Sequence, residues 1–276
     1  MIDALAYSPC PNDTYIFAAL TNGLLDGAPR IAAHLADIDE LNAAAAQAKY
    51  ALTKVSYGAI PYLMRNYRIL RAGGALGRSC GPLLVSRPGV GEYFGDFANK
   101  RIAIPGERTT AFLLLQLAFG RRPKSVVMRF DRIVDAVASG EVDAGLIIHE
   151  SRFTYRQKNL LAIADLGEWW ETHTLLPIPL GAIVVRNDVG DDEARAVDAA
   201  IRRSLAFARA NEGAVMPYVR AHAFEMDEAV MRAHIGLYVN AFSDDLGTEG
   251  IEAVRALFAR AAEARIVPAA SEPAFV

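Results

Sequence analysis

The chain has 276 residues, 53% of them hydrophobic, with 29 Lys plus Arg against 32 Asp plus Glu and a formal charge of -3. That length exceeds the ~100 to 200 residues of one domain, so two lobes are expected, and the near-even charge leaves no basic block for a phosphate backbone, which excludes nucleic acid as a partner. No run of ~18 apolar residues occurs, since FLLLQLAFG is broken by Gln116 and stops at Gly120, Arg121 and Arg122, so a membrane span is excluded too.

The opening MIDALAYSPCPNDTY carries Asp3, has no basic start and turns polar before an apolar stretch of signal-peptide length develops, so a cytoplasmic protein is expected. LAYS reads as a short strand, after which Asn12 and Asp13 offer caps for a helix in TYIFAALTNGLL that ends at Asp26 and Gly27. A strand in RIAAHLADI, a helix in DELNAAAAQAKY from Asp39, and a strand in ALTKVSY before the turn Gly58-Ala59-Ile60-Pro61 follow. The alternation implies a mostly parallel sheet covered by helices.

A second series repeats the pattern: RIAI, then PGERTTAFLLLQLAFG as loop and helix, SVVMRF as strand, DRIVDAVASG as helix and VDAGLIIH as strand. GPLLVSR and GAIVVR, both apolar runs closed by arginine, read as crossover strands between two lobes. The expected division is a large discontinuous lobe of residues 1–87 plus 186–276 and an inserted lobe of residues 88–185, with ligand between them. The Ala-, Arg- and Leu-rich tail, as in DDEARAVDAAIRRSLAFARA, is helical by spacing and reads as structural.

Several residues sit where chemistry is expected. The SPCPNDT loop lies beyond the first strand, where open α/β sheets bind ligands, although a rigid turn with an Asn or Asp cap explains it as well. Lys54, inside a strand pattern, must either reach solvent at an edge or meet an anion, and Ser56 either caps the next helix or shares that anion. Thr109 or Thr110 begins an apolar helix whose free N–H groups suit a carboxylate, with simple capping as the alternative.

His149 ends VDAGLIIH, at the C-terminal edge of a strand, where an imidazole titrating near neutrality suits general-base work without a metal. A lone histidine is usually structural; His34, His173, His222 and His234 have weaker settings, with His173 in WWETHTLLPIPLG a further cleft candidate. Arg78, Ser79 and Cys80 lie in a Gly-bounded loop that suits a hinge or a ligand contact. Cys10 and Cys80 belong to no CxxC pair or zinc-spaced cluster, so two reduced thiols and no metal are expected. Nothing in the sequence specifies an oligomeric state.

Taken together, SPCPNDTYIFAAL, DIDELN, TKVSYGAIPY, LGRSCGPLLV and DAGLIIHE resemble the 1,4-dihydroxy-6-naphthoate synthase family of the futalosine route to menaquinone, over most of the chain. The resemblance implies a two-lobed α/β fold of the type II periplasmic-binding-protein kind, with mixed sheets flanked by helices and a ligand cleft between lobes. It also implies a cofactor-free lyase that converts cyclic dehypoxanthine futalosine, a small carboxylate, to 1,4-dihydroxy-6-naphthoate and a three-carbon fragment, dihydroxyacetone. By the same resemblance His149 is the general base, and Lys54, Val55, Ser56, Thr110 and Ala111 contact substrate.

Two rivals share this outline. Chorismate dehydratase of the same pathway is a related two-lobed enzyme, against which the SPCPNDT and LIIHE blocks speak. A non-catalytic solute-binding protein would use the same cleft without a base, but would be expected to carry an export signal.

Overall fold

A computed structural model describes residues 2–224, 227–268 and 272–276. In chain order its first elements are β1 (Ala4–Tyr7), α1 (Pro11–Thr21), β2 (Ala32–Leu35), α2 (Ile38–Ala46), β3 (Leu52–Ser56), β4 (Tyr67–Ile69), β5 (Ala75–Gly77) and β6 (Leu83–Ser86). Then come β7 (Ile102–Ile104), α3 (Thr110–Phe119), β8 (Ser125–Val127), α4 (Phe130–Ser139), β9 (Ala144–Ile147), α5 (Ser151–Thr154), β10 (Leu161–Asp165), α6 (Leu166–Thr174) and β11 (Ile178–Arg186). The tail is helical: α7 (Asp191–Ala210), α8 (Glu212–His222), α9 (Glu228–Tyr238), α10 (Ala241–Asp244) and α11 (Gly247–Glu263).

Among the described residues the strands form two sheets. The first runs β2-β1-β3-β11-β4, with β5 also paired to β11; β1 is parallel to β2 and β3, and β11 is antiparallel to its partners. The second runs β10-β6-β9-β7-β8, parallel at β8-β7-β9 and antiparallel where β6 joins β9 and β10. Both are therefore mixed sheets, and the antiparallel members are the strands that cross between them.

Those crossing strands lie the other way round from the sequence expectation. GPLLVSR supplies β6 to the second sheet, and GAIVVR belongs to β11 in the first. The two runs are alike in composition, and only their pairing partners distinguish them. We therefore propose lobe boundaries between Gly77 and Leu83 and between Asp165 and Ile178 rather than at residues 87 and 186.

Local chemistry sets the helix starts. Cys10 is extended and forms the N-cap of α1, with Pro11 following, where a missing N–H costs nothing. Asn12 and Asp13 consequently lie inside the first turn instead of capping it, which frees their side chains for other partners. Asp37 caps α2 through the Asp39 N–H at 2.9 Å, two residues before the expected start. Thr109 caps α3, accepting from the Phe112 N–H at 3.2 Å, and Gly120 ends it in the left-handed conformation.

Helix α3 is buried from Thr110 to Gln116, as an all-round apolar helix must be, and it packs against α6 and α11. Two glycines mark close approaches around it. A Cβ at Gly58 would lie 2.8 Å from the Thr109 carbonyl, and one at Gly106 would strike the Asp39 carboxylate. Only glycine allows these loops of the two sheets to close on one another. Helix α1 is covered by α7, α8 and α9, so the tail completes the first lobe's core. No described helix is long and apolar enough to cross a membrane.

Candidate active site

A cleft with about 620 Å³ of unfilled space, part of it open to solvent, lies where the C-terminal ends of β3 and β9, the first turn of α3 and helix α9 converge. This is the crevice outside the strand ends where open α/β sheets place ligands. Its wall mixes apolar groups (Ile38, Ala75, Pro82, Ala111, Ile148, Leu180) with Asn12, Lys54, Ser56, Thr109, Thr110, His149, His234 and Tyr238. Such a lining, largely apolar with few convergent polar groups, suits a small organic ligand.

Lys54 is buried on β3, so a solvent-facing edge position is ruled out, and its Nζ pairs with the Asp13 carboxylate. Asp13 also accepts from Ser8 Oγ at 2.6 Å and from Asn12 Nδ2 at 2.8 Å. The anion that Lys54 requires is thus supplied by the SPCPNDT loop, not only by a ligand. An ammonium has three donors, and Lys54 reaches the cavity wall while paired, so capacity for a substrate oxygen remains.

Ser56 is also satisfied internally and does not cap the next turn by side chain. Its N–H donates to Asn42 Oδ1 at 2.8 Å, and Asn42 Nδ2 donates to Ser56 Oγ at 3.0 Å. Its hydroxyl proton can still be given to a ligand. Val55, between them, points the other way: its side chain is fully buried in the core and does not line the cavity. Alternation along a strand forces this, because Lys54 and Val55 face opposite sides.

Thr110 and Ala111 line the cavity as the first residues of α3, where backbone N–H groups lack intrahelical acceptors. The Thr110 hydroxyl bridges the lobes, accepting from the Gly58 N–H at 3.0 Å and donating to the Leu180 carbonyl at 2.6 Å. The side chain is thus occupied by the chain's own backbone, and only the helix-end N–H groups remain without intrahelical acceptors.

His149 lies two residues beyond the end of β9, with φ of 56°. Left-handed backbone is uncommon for a side-chain-bearing residue and turns this ring out of the strand direction toward the cavity. Part of the ring faces the cavity, while Nε2 is covered and has no hydrogen-bond partner among the described residues. Phe130 packs edge-on at 5.0 Å between ring centroids. Burial first, and the Lys54 charge second, push the imidazole down to about 3 from its ordinary 6.5, so the ring rests neutral with a lone pair available.

The tail contributes more than the sequence reading assigned to it. Helix α9 carries His234 and Tyr238 into the cavity wall. The His234 ring lies 6.3 Å from that of His149, and its Nδ1 is 4.0 Å from Glu150 Oε1. Burial also drives His234 well below the usual histidine range. Spacing within GLYV-type helical sequence offers no hint of this, since the contact spans 85 positions and depends on how α9 crosses α1. His173, by contrast, is exposed on α6 with Nδ1 on the Trp169 carbonyl at 2.7 Å, outside the cavity. Arg78 is tied to Glu249 at 2.8 Å, leaving Cys80 as the member of its loop that reaches the wall.

Two mixed sheets joined by crossing strands, with a polar-studded cleft at their ends, define a periplasmic-binding-protein-like α/β protein. The alkanesulfonate-binding protein of Xanthomonas axonopodis pv. citri shares the architecture with a TM-score of 0.75 over 96% of this chain and 94% of its own, at 14% identity, which speaks to fold alone. Residues 4–263 match the family model described as menaquinone biosynthesis, and the chain belongs to that family. It is 48% identical to a 1,4-dihydroxy-6-naphthoate synthase of Thermus thermophilus, covering 99% of this chain and 98% of the relative. A synthase of the same name from Streptomyces coelicolor is 46% identical, with coverage of 96% and 94%. A crystal structure of an Archaeoglobus fulgidus protein superimposes with a TM-score of 0.89 at 34% identity, covering 96% of this chain and 98% of that one.

Proposed function

We propose that this protein is a 1,4-dihydroxy-6-naphthoate synthase, a carbon–carbon lyase of menaquinone biosynthesis acting on cyclic dehypoxanthine futalosine. Near-full-length identity of 46% and 48% to two proteins of that name supports the reaction, and favours it over chorismate dehydration or simple solute binding. One structural observation carries the mechanism: a neutral, half-buried His149, whose covered Nε2 has no hydrogen-bond partner among the described residues, stands in the same cavity wall as Lys54, Ser56 and Thr110.

In this reading the first-turn N–H groups of Thr110 and Ala111, with the Lys54 ammonium and Ser56 hydroxyl, hold the substrate's carboxylate and oxygens. His149 takes a proton from a substrate hydroxyl. The freed oxygen pair becomes a carbonyl as the adjacent carbon–carbon bond breaks, and the bond's electrons leave with the three-carbon fragment, which is reprotonated. Aromatisation of the remaining ring supplies driving force, and closure around the cavity excludes water. A cytoplasmic location belongs to this reading, because the relatives carry a biosynthetic enzyme's name.

Incubation of the purified protein with cyclic dehypoxanthine futalosine, and with chorismate in parallel, tests the proposal. Formation of the naphthoate chromophore from the first alone is expected. Turnover of chorismate, or binding without turnover of either, overturns it.

A further inference from the structure

At the cavity wall the fold brings Cys10, from the N-terminal loop, to the adjacent pair His149 and Glu150. Cys10 Sγ at the N-cap of α1, a ring nitrogen of His149 and a carboxylate oxygen of Glu150 all lie within 4.8 Å of one another. Cys10 and Glu150 are 1% and 5% exposed, and neither lines the cavity, so His149 alone belongs to both places. Independently, His149 Nε2 is buried with no hydrogen-bond partner among the described residues, a group whose desolvation is not yet compensated.

Thiolate, imidazole and carboxylate together are the donor set of zinc, the borderline-soft cation that accepts S, N and O ligands at once. Tetrahedral bonds of ~2.0 to 2.3 Å set neighbouring donors roughly 3.3 to 3.7 Å apart, so side-chain shifts of about 1 Å bring the three donors to bonding distance and leave the fourth position to solvent. Magnesium or calcium would reject the sulfur.

We propose that Cys10, His149 and Glu150 form a binding site for a thiophilic divalent cation of the zinc class, and that occupying it switches the enzyme off. The switch, unlike the binding, rests on the proposed role of His149. A neutral imidazole has a single lone pair. When that pair binds a cation, the other ring nitrogen carries the hydrogen, and no base is left whichever nitrogen is engaged. Cys10 binds as thiolate and releases one proton to solvent, with no change of oxidation state at any atom. The cation sits on the far side of His149 from the substrate, so it inhibits without polarising the substrate.

The test uses chelator-treated wild-type protein. Added cobalt(II) should bind one per chain and give a thiolate-to-metal charge-transfer absorption in the near ultraviolet, and zinc should displace it. Zinc titrated into the turnover assay should abolish activity with the same stoichiometry. Replacing Cys10→Ala should remove the absorption, weaken zinc binding by at least about 100-fold, and make turnover indifferent to zinc added at that level. Cys10→Ser serves as the second variant should the alanine chain fail to melt cooperatively, and the wild-type cobalt spectrum requires no variant.

Absence of the charge-transfer band in wild type overturns the site and leaves His149 as base untouched. A band that survives Cys10→Ala assigns the thiolate to Cys80 and also overturns the site. Stoichiometric zinc binding with undiminished turnover overturns the switch and counts against His149 as the base.

Discussion

Lys54 and Asp13 form an ion pair in which the two side chains are 6% and 0% exposed, tying the loop after β1 to the middle strand of the same sheet. Taking two charges out of water costs several kcal/mol, recovered only through close geometry and further hydrogen bonds. Asp13 has those bonds from Ser8 and Asn12. The pair therefore fixes where the Lys54 ammonium stands at the cavity wall, and the SPCPNDT loop acts as its support.

Breaking the pair on one side should be severe. Asp13→Ala leaves a buried lysine uncompensated and is expected to cost about 3 to 5 kcal/mol of stability. The double replacement Asp13→Leu with Lys54→Met should recover most of that loss in urea titrations while binding substrate poorly. Full stability in Asp13→Ala alone would show that the ammonium has another partner.

Removal of the imidazole addresses the chemistry. His149→Gln should lower kcat by ~10² to 10⁴ with little change in KM, because the base acts in the transition state rather than in binding. A rise in KM at constant kcat would move His149 from proton transfer to substrate binding.

The depressed histidines make stability depend on pH with a definite sign. His149 binds its proton near 3 when folded but near 6.5 when unfolded, through burial and the Lys54 charge, and His234 is shifted the same way by burial, His149 and Lys54. Between those values the unfolded chain holds more protons, so the contribution is fully present above 6.5 and is lost as pH falls toward 3. The His149 ring should contribute on the order of 1 kcal/mol per pH unit across that window, and His234 acts in the same direction. Urea midpoints measured from pH 7 down to 4.5 should decline, and the slope should flatten when both rings are replaced by Gln. An equally steep decline without the two rings would assign the effect elsewhere.

Much of this architecture is written locally. The full length of α7 is readable from the periodicity of DDEARAVDAAIRRSLAFARA, and the strand-end setting of His149 follows from VDAGLIIH. What sequence could not resolve is pairing across distance. GPLLVSR and GAIVVR look alike until their neighbours in the sheets are known, so composition alone does not assign either to a sheet. Lys54 within a strand pattern reads equally as reaching solvent or as meeting an anionic ligand, and the Asp13 carboxylate, 41 positions away, is a partner that the pattern does not reveal. Val55 belongs to the same family block as Lys54 and Ser56, yet the pleat turns its side chain into the core. His234 stood in a tail with no family motif and reached the site only through the course of α9.

That histidine carries the remaining prediction. His234 is 1% exposed and lines the cavity beside Glu150 and His149, with Tyr238 packed edge-on at 4.7 Å between centroids. Two rings in contact across one cavity should not act independently, because each sets the other's orientation and electrostatic surroundings. A double-mutant cycle on kcat/KM with His149→Gln and His234→Asn is therefore expected to show a coupling of about 0.5 to 3 kcal/mol, with the double variant less impaired than the sum of the singles. His234→Asn alone should reduce kcat more than it changes KM, and should leave cooperative unfolding intact, since the amide can occupy much of the same volume. Strict additivity in the cycle would mean that His234 fills space in the wall and takes no part in how His149 works.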